Sequence, residues 1–236
     1  MSHIHLPDGI LPVWLWLAGY AIIAAYLLFF YLRSKKTAFN KNFALIGILS
    51  ALMLITMSIE IIPPIYHINL AVLTGIILGP ALSVLAILVV NIILAFLGHG
   101  GFTVIGLNTV VISIEAILGY FGFKILSLKI KKVFLSAFLA TFIALFISSL
   151  STIGIVYIGT HNLDSIIEHD HHTAEHKEEV IAHKTESFDI QKFIMLIMAF
   201  SIVGWTAESV ITAFIVNYIK RVRPDILEMK EYMETE

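Results

Sequence analysis

The chain has 236 residues, 58% of them apolar and only 14% charged, with a formal net charge of -2. A soluble domain of this length carries about a quarter charged residues, so the composition excludes a soluble globular protein and indicates a polytopic membrane protein. The sequence contains no cysteine, which excludes disulfides and thiolate metal sites and leaves only nitrogen and oxygen ligands to any metal.

Met1-Ser2-His3-Ile4-His5-Leu6-Pro7-Asp8-Gly9 precedes the first long apolar run. Pro7, Asp8 and Gly9 favour a sharp bend, with Asp8 stabilising the turn at Gly9. A chain beginning Met-Ser-His can wrap its amine, deprotonated amide nitrogens and an imidazole around one ion. Four nitrogens in a plane suit Ni(II) and Cu(II), which prefer tetragonal geometry. The bland alternative is a disordered terminus with two stray histidines, and these residues alone leave both open.

Leu11 to Leu32 is a charge-free stretch long enough to span a bilayer. Pro12 sits at its start, and Trp14 and Trp16 are placed as interfacial anchors. Arg33, Lys35, Lys36 and Lys41 follow, then a second span from Phe43 to Ile59, closed by Glu60 and Pro63-Pro64. Ile68 to Gly79 is apolar but about 18 Å long as a helix, short of a roughly 30 Å hydrocarbon core. Gly79-Pro80 then separates it from Ala81 to Gly98. A turn at Gly79-Pro80 brings the Arg33–Lys41 loop, the cluster Lys124, Lys129, Lys131 and Lys132, and the cluster Lys220, Arg221 and Arg223 to one side of the membrane. The remaining spans are Phe102 to Phe123, Val133 to Thr160 and Phe193 to Ile219.

The expectation is therefore an all-α membrane protein with seven transmembrane helices, the third short and ending at Gly79-Pro80, and the N-terminus outside. Residues 1–10 form a metal-binding segment, 11–227 the membrane domain, 161–191 an external His-rich loop and 228–236 an acidic cytoplasmic tail. Lys and Arg alone set this orientation, yet it places every histidine on the outer face. His3, His5 and His67 then belong to outer segments able to meet, which favours the metal reading of the terminus.

His5-Leu6-Pro7-Asp8-Gly9-Ile10-Leu11 resembles the His-x-Pro-Asp-Gly-x-Leu start of the CbiM/NikM family, the substrate-binding membrane components of energy-coupling-factor cobalt and nickel transporters. The resemblance continues in family order at His67-Ile68-Asn69-Leu70, Leu73-Thr74-Gly75, Leu78-Gly79-Pro80 and Gly100 through Asn108. It ends at Glu208, Thr212, Tyr218 and Arg223-Pro224-Asp225-Ile226-Leu227. It implies seven helices and a planar site built from the terminal amine, the amide nitrogen and imidazole of the second residue, and a distant imidazole. His67 takes that distant position.

His5 departs from the pattern, because it takes the family position before the proline yet stands fifth in the chain. Either Met1, Ser2 and His3 form the site together, or removal of Met1 leaves His3 second, with His5 as a supporting or fifth donor. A third arrangement keeps His5 and His67 as ligands with the terminus folded back. The metal ligands expected are thus drawn from Met1, Ser2, His3, His5 and His67.

Asp8, His99 and Asn108 are candidates for ordering the loops around the site. For His99 a plain loop histidine, and for Asn108 an interhelical hydrogen bond, stand as equal alternatives. Glu115 and Glu208 are carboxylates inside spans, for which hydrogen-bonded structural roles are favoured. His161, His169, His171, His172, His176 and His183 form a tract able to collect metal loosely or to act as a solvated, partly disordered loop.

The resulting reading is a capture subunit for Co(II) or Ni(II) in a prokaryotic plasma membrane, serving cobalamin biosynthesis or nickel uptake. The ion is its substrate. No enzymatic activity, organic cofactor or nucleic-acid partner is expected. No Gly-x-x-x-x-Gly-Lys-Ser/Thr loop is present, so energy must come from another chain. The resemblance supplies a membrane coupling subunit, two cytoplasmic ATPase subunits and a small extra membrane subunit, expected to be separate. The Pro7-Asp8-Gly9 form looks closer to nickel members without deciding between the ions. A stand-alone zinc carrier using Glu115 and Glu208 is the alternative. An intramembrane metalloprotease is excluded by the absence of His-Glu-x-x-His.

Overall fold

A computed structural model describes residues 11–33, 36–58, 60–62, 66–98, 101–170 and 190–228, with side chains described over fewer of them. The elements are α1 (Val13–Arg33), α2 (Lys36–Ser58), β1 (Glu60–Ile62), β2 (Tyr66–His67), α3 (Ala71–Phe96), α4 (Ile105–Lys129), α5 (Val133–Asp170), α6 (Ile190–Val222) and α7 (Pro224–Glu228). Long apolar runs form helices here because a bilayer offers no water to backbone amides, and a helix satisfies them internally.

Five of these helices contain stretches long and apolar enough to cross a membrane: Val13–Leu32, Ala71–Phe96, Ile105–Lys129, Val133–Ile155 and Ser201–Val222. α2 adds the shorter apolar stretch Phe43–Ser58. α3 is broken at Gly79, whose φ of 78° and ψ of 171° lie outside helical geometry. The break coincides with the expected end of the third helix. Glycine tolerates the positive φ, and Pro80 cannot donate the N–H that would continue the ladder. With the halves of α3 counted apart, α1 to α6 supply seven helical segments. The protein is an all-α, multi-pass membrane fold as expected.

Its outer surface is apolar, with Leu28, Phe29, Phe96, Val203 and Phe214 among the exposed side chains. Such a surface is at home in lipid, where no hydrophobic force drives helices together and close packing must do so instead. The helices meet at small residues accordingly. A Cβ added at Gly19 in α1 would lie 2.6 Å from the backbone nitrogen of Leu107, and one at Gly106 in α4 would lie 2.6 Å from that of Tyr20. The Tyr20 hydroxyl donates to the Phe102 carbonyl, and that of Tyr26 to the Ala81 carbonyl. α4 is the hub, packing against α1, α3 and α5.

α5 and α6 are antiparallel, because Phe134 meets Phe214 at 5.1 Å between ring centroids while Phe142 meets the buried Trp205 at 6.0 Å. The end of α6, with Lys220 and Arg221, therefore lies at the same end of the bundle as Lys129, Lys131 and Lys132, which join α4 to α5. Leu11 and Leu15 pack with Val104 and Leu107, so α1 and α4 begin at the other end.

Two features differ from expectation. α5 continues to Asp170, so residues 161–170, expected to open the external loop, are helical in backbone. Between α2 and α3 the chain forms a small antiparallel hairpin, pairing Glu60 with His67 and Ile62 with Tyr66. Three- and two-residue strands bounded by prolines carry too little alternation to be read from sequence.

Candidate metal-capture segment

The hairpin delivers the chain into the bundle's interior. β2 touches α6 and α2, and His67 is half-buried with its Nε2 atom screened from solvent. Ile68, Asn69 and Leu70 follow, all buried, and every residue from Ala71 to Gly79 is buried as well. A helix buried all round is a core element rather than a lipid-facing one. The first half of α3 is thus a buried core element of the bundle. Its close fit shows at Gly75, where an added Cβ would lie 2.2 Å from the Ala116 carbonyl oxygen of α4.

α3 starts deep in the fold because its N-terminal groups find partners there. The Leu70 N–H donates to Glu208 Oε1 of α6 at 3.0 Å. Asn69 Nδ2 donates to Glu115 Oε2 of α4 at 3.3 Å, while Asn69 Oδ1 accepts from the Ala71 N–H at 2.7 Å. The Thr74 hydroxyl donates to the Leu70 carbonyl at 3.1 Å. Amides that would face lipid unpaired are thereby satisfied. Leu70 itself has φ 57° and ψ 24°, left-handed geometry that costs a branched L-residue about 1–2 kcal/mol. Such strain persists where surrounding contacts over-determine it.

Glu115 and Glu208 are both fully buried. Glu115 lies ten residues after Ile105, about 15 Å along the helix, so the segment after His67 reaches well into the bundle. The expected structural, hydrogen-bonded roles of both carboxylates hold, and what they bind is specifically the chain just past His67. Asn69 is the link between that chain and α4. An Asn two residues after a histidine, with two lone carboxylates in apolar spans, was the available signal; their pairing was not legible.

Asn108 is buried in α4, two helical turns before Glu115 on the same face. Beside it, Asn91 Nδ2 of α3 donates to Thr109 Oγ1 of α4 at 3.2 Å, a polar link between the two helices. Among the described residues, no three His, Asp or Glu side chains come together. Met1, Ser2, His3, His5, Asp8, His99, His171, His172, His176 and His183 lie outside the described residues. His161 and His169 belong to the backbone of α5, their side chains likewise outside the description.

Two solved structures share this fold. One, described as a transition metal transporter, is 22% identical, with a TM-score of 0.70 over 98% of this chain and 100% of the other. The other, described as a truncated transition metal transporter, is 22% identical, with a TM-score of 0.67 over 92% of this chain and 98% of the other. No curated protein matches the sequence. A family model does, over residues 5–226, which takes in every described span and the whole His67 segment. The chain is thus a multi-pass membrane protein of metal uptake, and it belongs to the CbiM family, the cobalt uptake substrate-specific transmembrane region.

Proposed function

We infer that the chain is the substrate-capture subunit of an energy-coupling-factor importer for Co(II) or Ni(II) in a prokaryotic plasma membrane. It loads the ion at the outer face, without chemistry of its own, and hands it inward when partner subunits drive the cycle. The carrying observation is His67. It is an imidazole on a hairpin that enters the bundle, anchored through the next three residues to carboxylates on two helices. A ligand presented by rigid elements holds its geometry better than one on a free loop.

The proposed site joins His67 to nitrogen ligands of the N-terminal segment. His3 or His5 supplies an imidazole, and the amide nitrogens and amine complete a planar set where Met1 or Ser2 is the first residue of the mature chain. Asp8, His99 and Asn108 order the surrounding loops, and the histidines between His161 and His183 collect ions near the entry. The basic end of the bundle, with Lys129 to Lys132 and Lys220 to Arg223, faces the cytoplasm by the positive-inside rule, which puts the start of α1 outside. A membrane coupling subunit, two ATPase subunits and a small extra membrane subunit complete the transporter, serving cobalamin biosynthesis or nickel uptake. A stand-alone zinc carrier needs Glu115 and Glu208 as ion ligands. Their engagement with Asn69 and Leu70 counts against it.

The test is uptake of labelled Ni(II) and Co(II) by cells producing this chain with and without the partner subunits, beside His67→Ala. Accumulation only with the partners, and its loss in His67→Ala, is expected. Uptake by the chain alone, or undiminished uptake by His67→Ala, overturns the reading. Amide and amine nitrogens bind only when deprotonated, so affinity of the purified chain rises with pH.

A further inference from the structure

A carboxylate inside a membrane domain is expensive, and this protein keeps two, from different helices, at the two residues that follow Ile68. A neutral side chain would satisfy a single amide at less cost. Both carboxylates act on one short stretch: Glu208 of α6 accepts the Leu70 N–H, and Glu115 of α4 accepts from Asn69. Asn69 and Thr74 close the stretch locally onto the start of α3, and Leu70 is held in left-handed geometry. His67 is three residues from Leu70, at the end of a strand whose pairing with β1 fixes its other side. The imidazole is thus held from both directions along the chain.

We propose that Glu208 and Glu115, acting through Leu70 and Asn69, are positioning residues that fix the His67 imidazole relative to α4 and α6. The proposal rests on the reading of His67 as a metal ligand and deepens it. Neither carboxylate touches the ion. Each sets where the strand ends, hence where the ring stands, and a movement of α6 against α4 is transmitted to the ligand through these two hydrogen bonds. A planar nitrogen site tolerates little displacement of one donor. Capture affinity and coordination geometry therefore depend on groups remote from the ion.

The test uses the purified full chain in lipid nanodiscs with Ni(II) as probe, reading affinity, the visible absorption spectrum of bound nickel, and thermal unfolding. Glu208→Leu removes the acceptor for the Leu70 N–H. Affinity falls by about tenfold or more, the effect of one buried N–H left without its acceptor, and the nickel spectrum shifts. Glu208→Gln keeps an oxygen that accepts the same N–H, so affinity stays within about threefold and the spectrum is retained. Asn69→Asp sets two carboxylates against each other and weakens binding. Adding Glu115→Gln exchanges amide for carboxylate, rebuilds the hydrogen bond and restores binding, which a generic packing role does not explain.

A folded Glu208→Leu protein with native affinity and spectrum overturns the proposal. So does Glu208→Gln as damaging as Glu208→Leu, or a double exchange that restores neither folding nor binding. If Glu208→Leu does not fold, the Asn69 and Glu115 exchange decides. His67→Ala runs in parallel. Native affinity there sinks the reading of His67 itself, whereas loss there with intact binding in the Glu208 and Asn69 variants sinks only the positioning role.

Discussion

Glu208 and Asp225 are carboxylates in the same stretch of chain, one within α6 and the other just beyond its end. Glu208 is fully buried and takes a backbone N–H from Leu70, far away in sequence. Asp225 is half-exposed and takes a two-pronged hydrogen bond from Arg223, Nε at 2.9 Å and Nη2 at 2.8 Å. The Arg223 guanidinium holds the Asp225 carboxyl below the usual carboxylate range. By bond geometry the surface pair is the better one. Its worth is nonetheless small, because water and salt screen exposed charges, while an interior amide that loses its partner has no water to turn to. Setting, rather than the number of hydrogen bonds, decides which carboxylate the fold depends on.

The contrast between interior and surface can be broken at several points. The largest effect is expected at Gly75→Leu, which drives a side chain into the α4 backbone at Ala116. Overpacking of this kind costs about 3 kcal/mol or more, and loss of folded protein on size-exclusion chromatography is the expected outcome. Gly47→Ala, where an added Cβ meets nothing within 4 Å, leaves the melting temperature nearly unchanged. Equal damage from both would show that the first half of α3 is no more tightly held than α2.

Trp205→Ala comes next. The indole is buried against Phe142 and Phe146, at 6.0 and 5.7 Å between centroids, and its removal costs about 3–5 kcal/mol in a thermal or denaturant melt. Glu115→Leu takes the acceptor from Asn69 Nδ2 and costs about 1–3 kcal/mol. A melt no lower than that of the unaltered chain would mean that Asn69 re-pairs without α4.

Asp225→Asn is the smallest. Its folded carboxyl is held below its ordinary value, so its contribution is present above the ordinary carboxylate range and fades as pH falls through the depressed one. Melts of the native chain and Asp225→Asn should therefore differ little at neutral pH, and converge as acid protonates Asp225. A large difference at neutral pH would place the α6–α7 corner among the structural anchors.

Charge and hydropathy were enough for the spans, since lipid demands unbroken apolar helices and few other solutions exist. The break at Gly79-Pro80 was legible for the same local reason: proline lacks the N–H and glycine accepts the dihedral. His67 was legible as a histidine of an outer segment, from the placement of Lys and Arg, and as one letter in an ordered set of motifs. The extension of α5 to Asp170 was not, because residues 161–170 carry the polar composition of a loop and helical geometry there lacks an apolar signature.

Composition, breakers and motif order are properties of the chain alone, and they suffice to mark a multi-pass helical membrane protein of a metal-uptake family. What anchors the chain beside His67 emerges from the packing of the folded bundle. A carboxylate on α4 and another on α6 have no way of announcing in sequence that they meet the amides of residues 69 and 70. Helix packing brings them there, and the low polarity of the bundle interior makes those few hydrogen bonds matter.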